Sequence, residues 1–170
     1  MINWNSIIAR VEQQEGVPIT TDPSRWNLDT PGYSEIYKMW QKANFNPNAI
    51  KWINYYPGKH FSEEIVKEVA DTLGLQGVHR SWISRIDPGY MAPHHWDVDD
   101  NEAEYLKQGS IKRYTVIIQN FAHGHIFILK NEYYHSLTKD VIIAWDNHRE
   151  WHSGINAGMV PNYLFHILGY

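Results

Sequence analysis

His95 and Asp97 stand two residues apart, and on a β-strand side chains at i and i+2 leave the same face. A ring nitrogen and a carboxylate can therefore converge on one point. A second histidine from a distant strand would complete a triangular face on a divalent metal and leave the three opposite positions open. That donor set suits iron and chemistry with oxygen. The chain has 10 His and no Cys, so a transition-metal site here must be built from imidazole and carboxylate. Thiolate metal sites, thiol nucleophiles and disulfides are excluded outright. The distal histidine should follow a strand and a tight turn near the C-terminus, where His152 fits and His148 competes within the same loop. Upstream, His94 competes with His95, and the two-residue spacing to Asp97 favours His95. A single His is more often a hydrogen-bonded core or surface residue than a ligand. The stronger signal is the combination: an H-x-D after the Asp87-Pro88-Gly89 turn, and a late His in a strand-rich chain.

Positioning such a triad requires a rigid frame. At 170 residues, with 43% hydrophobic and 20% charged side chains, the chain suits one globular domain with a real core, taken as residues 1–170. A helical front part (1–76) precedes a strand-rich back part (77–170). Ile7, Ile8 and Val11 have helical spacing, and residues 33–43 form a second helix candidate. Ser62-Glu63-Glu64 opens a third, in which Ser62 can cap the first amides and two acids meet the positive helix end. Ile65, Val66, Val69 and Leu73 give it an apolar stripe, and Gly74 is placed to stop it. From residue 78 the pattern becomes short strands: 78–86, 114–119, 125–129, 132–137, 141–145 and 163–168. They are separated by breakers at Asp87-Pro88-Gly89, Gly124, Lys130-Asn131, Lys139-Asp140 and Gly154 to Pro161. Many short strands with regular turns predict a sandwich or barrel, with the helices packed outside one sheet: an α+β chain with a mainly β core.

The net charge of −4 and the lack of any Lys/Arg run disfavour a nucleic-acid partner. No stretch is apolar enough for a signal peptide or a membrane span, so a cytoplasmic protein without membrane attachment is expected. The partner expected is a small-molecule or peptide substrate. Aromatics reach 14%, and Trp82, Trp96, Trp145 and Trp151 gather around the motifs as core or rim packing.

Five segments carry a likeness to a known family. They are Ser84-x-x-x-Pro88-Gly89-x-x-x-Pro93-x-His95-x-Asp97, Arg113 to Ile118, Gly124 to Phe127, Lys139 to Asp146, and His152-x-x-x-Asn156. Together they resemble the aspartyl/asparaginyl β-hydroxylase branch of the Fe(II)/2-oxoglutarate oxygenases over residues 78–170, with no likeness in the helical front. The resemblance implies a double-stranded β-helix (jelly roll, cupin-like). It implies Fe(II) on His95, Asp97 and His152, with 2-oxoglutarate as cosubstrate and O2 as oxidant. It further implies that the hydroxyl of Ser84 and the cation of Arg113 help hold 2-oxoglutarate, with Lys112 as the substitute cation. Thr115 shares a strand face with Arg113, and Asn156 closes the distal motif. The family's last strand carries an Arg after the distal His; here Asn162 occupies that place, and His166 lies four residues on along the same strand face. The implied activity is hydroxylation of an Asp, Asn or Pro-type residue, or of a free amino acid. The departure at Asn162 leaves a second reading, a cupin-like metalloenzyme without 2-oxoglutarate. A third reading is a non-catalytic jelly-roll binding module whose histidines are structural.

Overall fold

The computed structural model describes residues 2–20, 31–96, 111–146 and 150–170. Its helices begin and end where local chemistry dictates. The third, α3 (Glu63–Leu73), starts with the Ser62 side chain accepting from the Glu64 amide. It stops at Gly74, whose φ of 69° is a left-handed conformation that a β-carbon would penalise. The first, α1 (Trp4–Glu12), is capped by Asn3, whose side chain accepts from the Ser6 amide. The second, α2, covers Pro31–Lys42. None of the described helices is long and apolar enough to cross a membrane.

Among the described residues, ten strands follow in chain order as β1 (Val17–Thr20), β2 (Lys51–Tyr55), β3 (Val78–Ile86), β4 (Met91–His95), β5 (Lys112–Ile117), β6 (His125–Leu129), β7 (Glu132–Tyr134), β8 (Ile142–Trp145), β9 (His152–Asn156) and β10 (Asn162–Gly169). They form two antiparallel sheets, one ordered β1-β2-β3-β10-β5-β8 and the other β4-β9-β6-β7. The result is a two-sheet sandwich, as the strand pattern predicts, and it takes the jelly-roll form that the resemblance implies. The front part is not wholly helical, however: β1 and β2 extend the larger sheet. Gly154, read from sequence as a chain breaker, sits inside β9.

Period-two alternation sorts each strand of the large sheet between two environments. Outward, Ile83, Val116, Tyr163, Phe165 and Ile167 bury against Trp4, Ile7 and Val11 of α1 and Val66, Val69 and Ala70 of α3. Each fully buried large apolar side chain contributes about 1.5–3 kcal/mol. Inward, Ile117, Ile143, Trp145 and Leu164 meet Phe127 and Leu129 of the smaller sheet and close one end of the sandwich. The other end is not filled. Here α2 departs from the expected packing. Its Ile36 and Trp40 cluster with Ile50, Trp52 and Trp96 at the opening between the sheets, and Trp40 Nε1 donates to the His94 carbonyl at 2.8 Å.

Candidate metal and anion site

The unfilled end is a cavity of about 350 Å³ between the sheets, a volume suited to a small ligand. Its histidines are placed by a β-bulge. Ala92 pairs with Gly154 and His95 pairs with His152, so three residues of β4 advance against two of β9. The extra residue lets both Ala92 and His95 face the cavity although they are an odd number apart. His94 is turned elsewhere and stacks on Trp151, rings 5.2 Å apart and within 3° of parallel. Gly154 lines the cavity beside Ile86, and a β-carbon there would come within 2.7 Å of Ile86 Cδ1, so that side-chain end would have to shift.

His95 and His152 thus face one another with ring centroids 4.4 Å apart. His95 Nδ1 is bonded to the Pro93 carbonyl at 2.6 Å, and His152 Nδ1 to the Glu150 carbonyl at 3.0 Å. A carbonyl only accepts, so each Nδ1 must carry the proton and each Nε2 the lone pair. Fixing the tautomer by a backbone carbonyl is how metal-ligating histidines are commonly held. Trp52 stacks on His95 at 5.9 Å, and Trp145 lies 5.4 Å from His152, so both rings are clamped by aromatic neighbours. The pair therefore fits two corners of a metal site. Asp97, the expected third ligand, and His148, the competitor of His152, lie outside the described residues; among the described ones no group of three His, Asp or Glu could hold a metal.

Burial keeps these rings neutral. It pulls the His95 pKa down to about 4, assisted by the Arg113 charge and opposed by the Pro93 carbonyl. Burial also lowers His152, with His95 and Arg113 adding to the effect, and lowers His166, with Arg113 adding. Neutral rings at physiological pH offer lone pairs without competition from protons. In the unfolded chain the same rings protonate near the ordinary value of about 6.5. Between that pH and the lowered native values, unfolding takes up protons, so acid favours the unfolded state. The metal-free protein is expected to lose stability as pH falls from 7 toward 5, by up to about 1.4 kcal/mol per pH unit for each ring. Urea midpoints that stay level across this range would refute the neutral histidine cluster.

Arg113 is 2% exposed and lines the same cavity. Its guanidinium carbon lies 4.7 Å from the centre of the Trp82 ring and 5.3 Å from that of Trp145. Burial and the nearby Arg80 charge both lower its pKa from the usual arginine value. Lys112, the substitute cation, points instead toward Asp146, 3.8 Å away, and is not among the lining residues. His166 lines the cavity, stacked on Trp82 at 5.0 Å, while its Nδ1 shares a 3.0 Å hydrogen bond with Thr115 Oγ1. Ser84 also lines it.

Of the residues singled out from sequence, the fold therefore brings His95, His152, Ser84, Arg113 and His166 to one cavity. Thr115 lies behind His166 and does not line it. Asn156 does not line it either. Its Nδ2 donates to the Ile86 and Val160 carbonyls, and its Oδ1 accepts from the Gly158 amide, so it braces the turn before β10. Asn162 is fully buried outside the cavity lining, and neither its Oδ1 nor its Nδ2 has a hydrogen-bond partner among the described residues. Sequence reasoning missed Arg80, Asn54 and Tyr56, which also line the cavity. The signal for Arg80 was present: it lies four residues before Ser84 on one strand and shares its face by parity.

No family model matches the sequence, and no curated protein matches it either. Several solved structures are similar. The cupin domain of an XRE-family transcriptional regulator from Enterobacter cloacae is 12% identical, covering 54% of this chain and 80% of that one, with a TM-score of 0.40. A predicted oxalate decarboxylase from Thermotoga maritima is 12% identical over 70% of this chain and 80% of that one, with a TM-score of 0.42. A cupin domain from Bordetella pertussis is 14% identical over 56% and 84%, with a TM-score of 0.38. The jelly roll of this chain rests on its own two antiparallel sheets and their strand order.

Proposed function

We propose that the protein is a non-haem Fe(II)/2-oxoglutarate-dependent oxygenase that hydroxylates an Asp, Asn or Pro-type residue or a free amino acid. One observation carries the reading. Two neutral imidazoles face each other across a strand pair, each with Nδ1 anchored on a backbone carbonyl, in a cavity that also contains a buried arginine. His95, Asp97 and His152 would hold the iron. Fe(II) bound with 2-oxoglutarate and O2 supplies oxidative decarboxylation to succinate and carbon dioxide, and with it the oxidising power to turn C–H into C–OH. The chain's own residues bind, orient and shield. Arg113 provides a fixed cation for a carboxylate of the cosubstrate in a site poor in water. Trp52, Trp82, Trp96 and Phe127 line the walls and limit solvent around the reacting groups.

Titrating metal-free protein with Fe(II) under nitrogen, with and without 2-oxoglutarate, tests this reading. The expected result is a weak visible charge-transfer band that needs both additions. Asn162 favours a second reading, a cupin-like metalloenzyme without 2-oxoglutarate, because no arginine occupies that place on β10. Iron uptake without the band would select it. No iron uptake at all would leave a binding module.

A further inference from the structure

The cavity wall contains a polar run made of Trp82 and Ser84 on β3, Asn54 on β2 and Tyr56 just after β2, in which only Ser84 was expected to meet the cosubstrate. Its direction is set by one group that can only donate. Trp82 Nε1 donates to Ser84 Oγ at 3.0 Å, so Ser84 turns its own proton to Asn54 Oδ1 at 3.1 Å. With Oδ1 engaged there, Asn54 presents Nδ2 to Tyr56 Oη at 3.5 Å, the longest link. Tyr56 accepts in that bond, and its own proton has no acceptor among the described residues. The hydroxyl proton of Ser84 is thus committed, and the hydroxyl of this run that can donate to a ligand is that of Tyr56.

Arg80 borders the same wall. Its guanidinium carbon is 5.4 Å from the centre of the Trp82 ring, and Tyr56 packs against the cluster of Trp82, Ile111 and Leu168. Arg80 is solvent-exposed and forms no ion pair with a described residue. No Asp or Glu is among the described residues lining the cavity. A cation and a phenolic donor beside one indole, with no carboxylate beside them among the described lining residues, form a receptor for an oxyanion.

We propose that Arg80 and Tyr56 form a carboxylate subsite at the solvent edge of the cavity, separate from Arg113, and that the substrate is a carboxylic acid held there by its carboxylate. The word substrate rests on the oxygenase reading; the subsite itself needs no iron. The carboxylate can belong to the main chain of a free amino acid or to an acidic side chain, and both present the same chemistry.

The test follows the Trp82 indole N–H resonance of the 15N-labelled metal-free protein, assigned with Trp82→Phe. Butyrate should shift it saturably, while the neutral isostere butyramide should not. Arg80→Gln and Tyr56→Phe should each weaken butyrate about tenfold, and Lys112→Gln, which changes a cation outside the cavity lining, should leave the response in place. N-acetyl-asparagine, which carries only an α-carboxylate, and N-acetyl-aspartic acid α-amide, which carries only a side-chain carboxylate, identify the source; a stronger response to either supports the subsite. No shift in the wild type overturns the proposal, as does a response lost in Arg113→Gln but kept in Arg80→Gln and Tyr56→Phe. Fe(II) affinity measured on the same samples keeps the two readings apart. Iron binding with no Arg80-dependent response sinks the subsite alone, and an Arg80-dependent response without iron binding sinks the oxygenase alone.

Discussion

His152→Ala should take up no tight Fe(II) while keeping the jelly roll. The ring is one of two imidazoles that pair at the bulge among the described residues, and its Nδ1 anchor on the Glu150 carbonyl leaves Nε2 as the nitrogen that would meet a metal. Losing a mere orienting partner of a ligand costs about 10–100-fold in metal affinity, so losing the ligand itself should exceed about 100-fold. The substitution also removes a buried ring packed near Trp145 and Phe127. Some destabilisation is therefore expected, on the order of 2–3 kcal/mol. Circular dichroism and the urea midpoint separate that effect from lost binding, and His152→Gln, closer in volume, should lose iron with a smaller stability penalty. His95→Ala should behave like His152→Ala. His148→Ala should bind iron as the wild type does; if it alone loses iron, the distal ligand has been placed on the wrong histidine.

What could be read from the sequence is what local chemistry writes into consecutive residues. The cap at Ser62 and the stop at Gly74 framed α3, and runs bounded by turn residues gave β3 and β6 with their observed limits. Parity between His95 and Asp97 chose His95 over His94, and the bulge in β4 turns His95 inward. Two elements were hidden for physical reasons. β9 contains Gly154, whose missing side chain looks like a chain break but answers a close approach by Ile86, a contact between strands 68 residues apart (154 − 86). β1 and β2 are short strands in the helical front, and only the pairing of β1 with β2 and of β2 with β3 shows that they complete the large sheet. The site was legible as far as its motifs reached. Asn54, Tyr56 and Arg80 lie upstream of those motifs, and their meeting at Trp82 is a product of sheet order, which no local pattern encodes. Asn156 shows the converse. Its position in a motif suggested a ligand contact, whereas its amide is bonded to three backbone groups.

Arg113→Gln should weaken 2-oxoglutarate by about 100-fold and leave Fe(II) affinity within about twofold. The buried guanidinium and the paired imidazoles line one cavity, yet they belong to different sheets, so the cation can be removed without moving the imidazole pair. Truncating one partner of a desolvated charge pair typically costs about 2–5 kcal/mol, and the lower part of that range corresponds to about 100-fold. Glutamine keeps a polar donor in the slot beside Trp82 and Trp145 and removes the charge. Arg113→Lys should recover only part of the affinity, because an ammonium cannot match a carboxylate with two parallel bonds. The measurement is the 2-oxoglutarate dependence of the charge-transfer band at saturating Fe(II), with iron affinity determined separately. If Arg113→Gln binds 2-oxoglutarate like the wild type, the clamp lies elsewhere. His166 is then the next residue to change, since it lines the same cavity and is held by Thr115 and Trp82. If iron affinity falls together with 2-oxoglutarate, Arg113 is supporting the histidine pair rather than the cosubstrate, and the case for a 2-oxoglutarate clamp at this position fails.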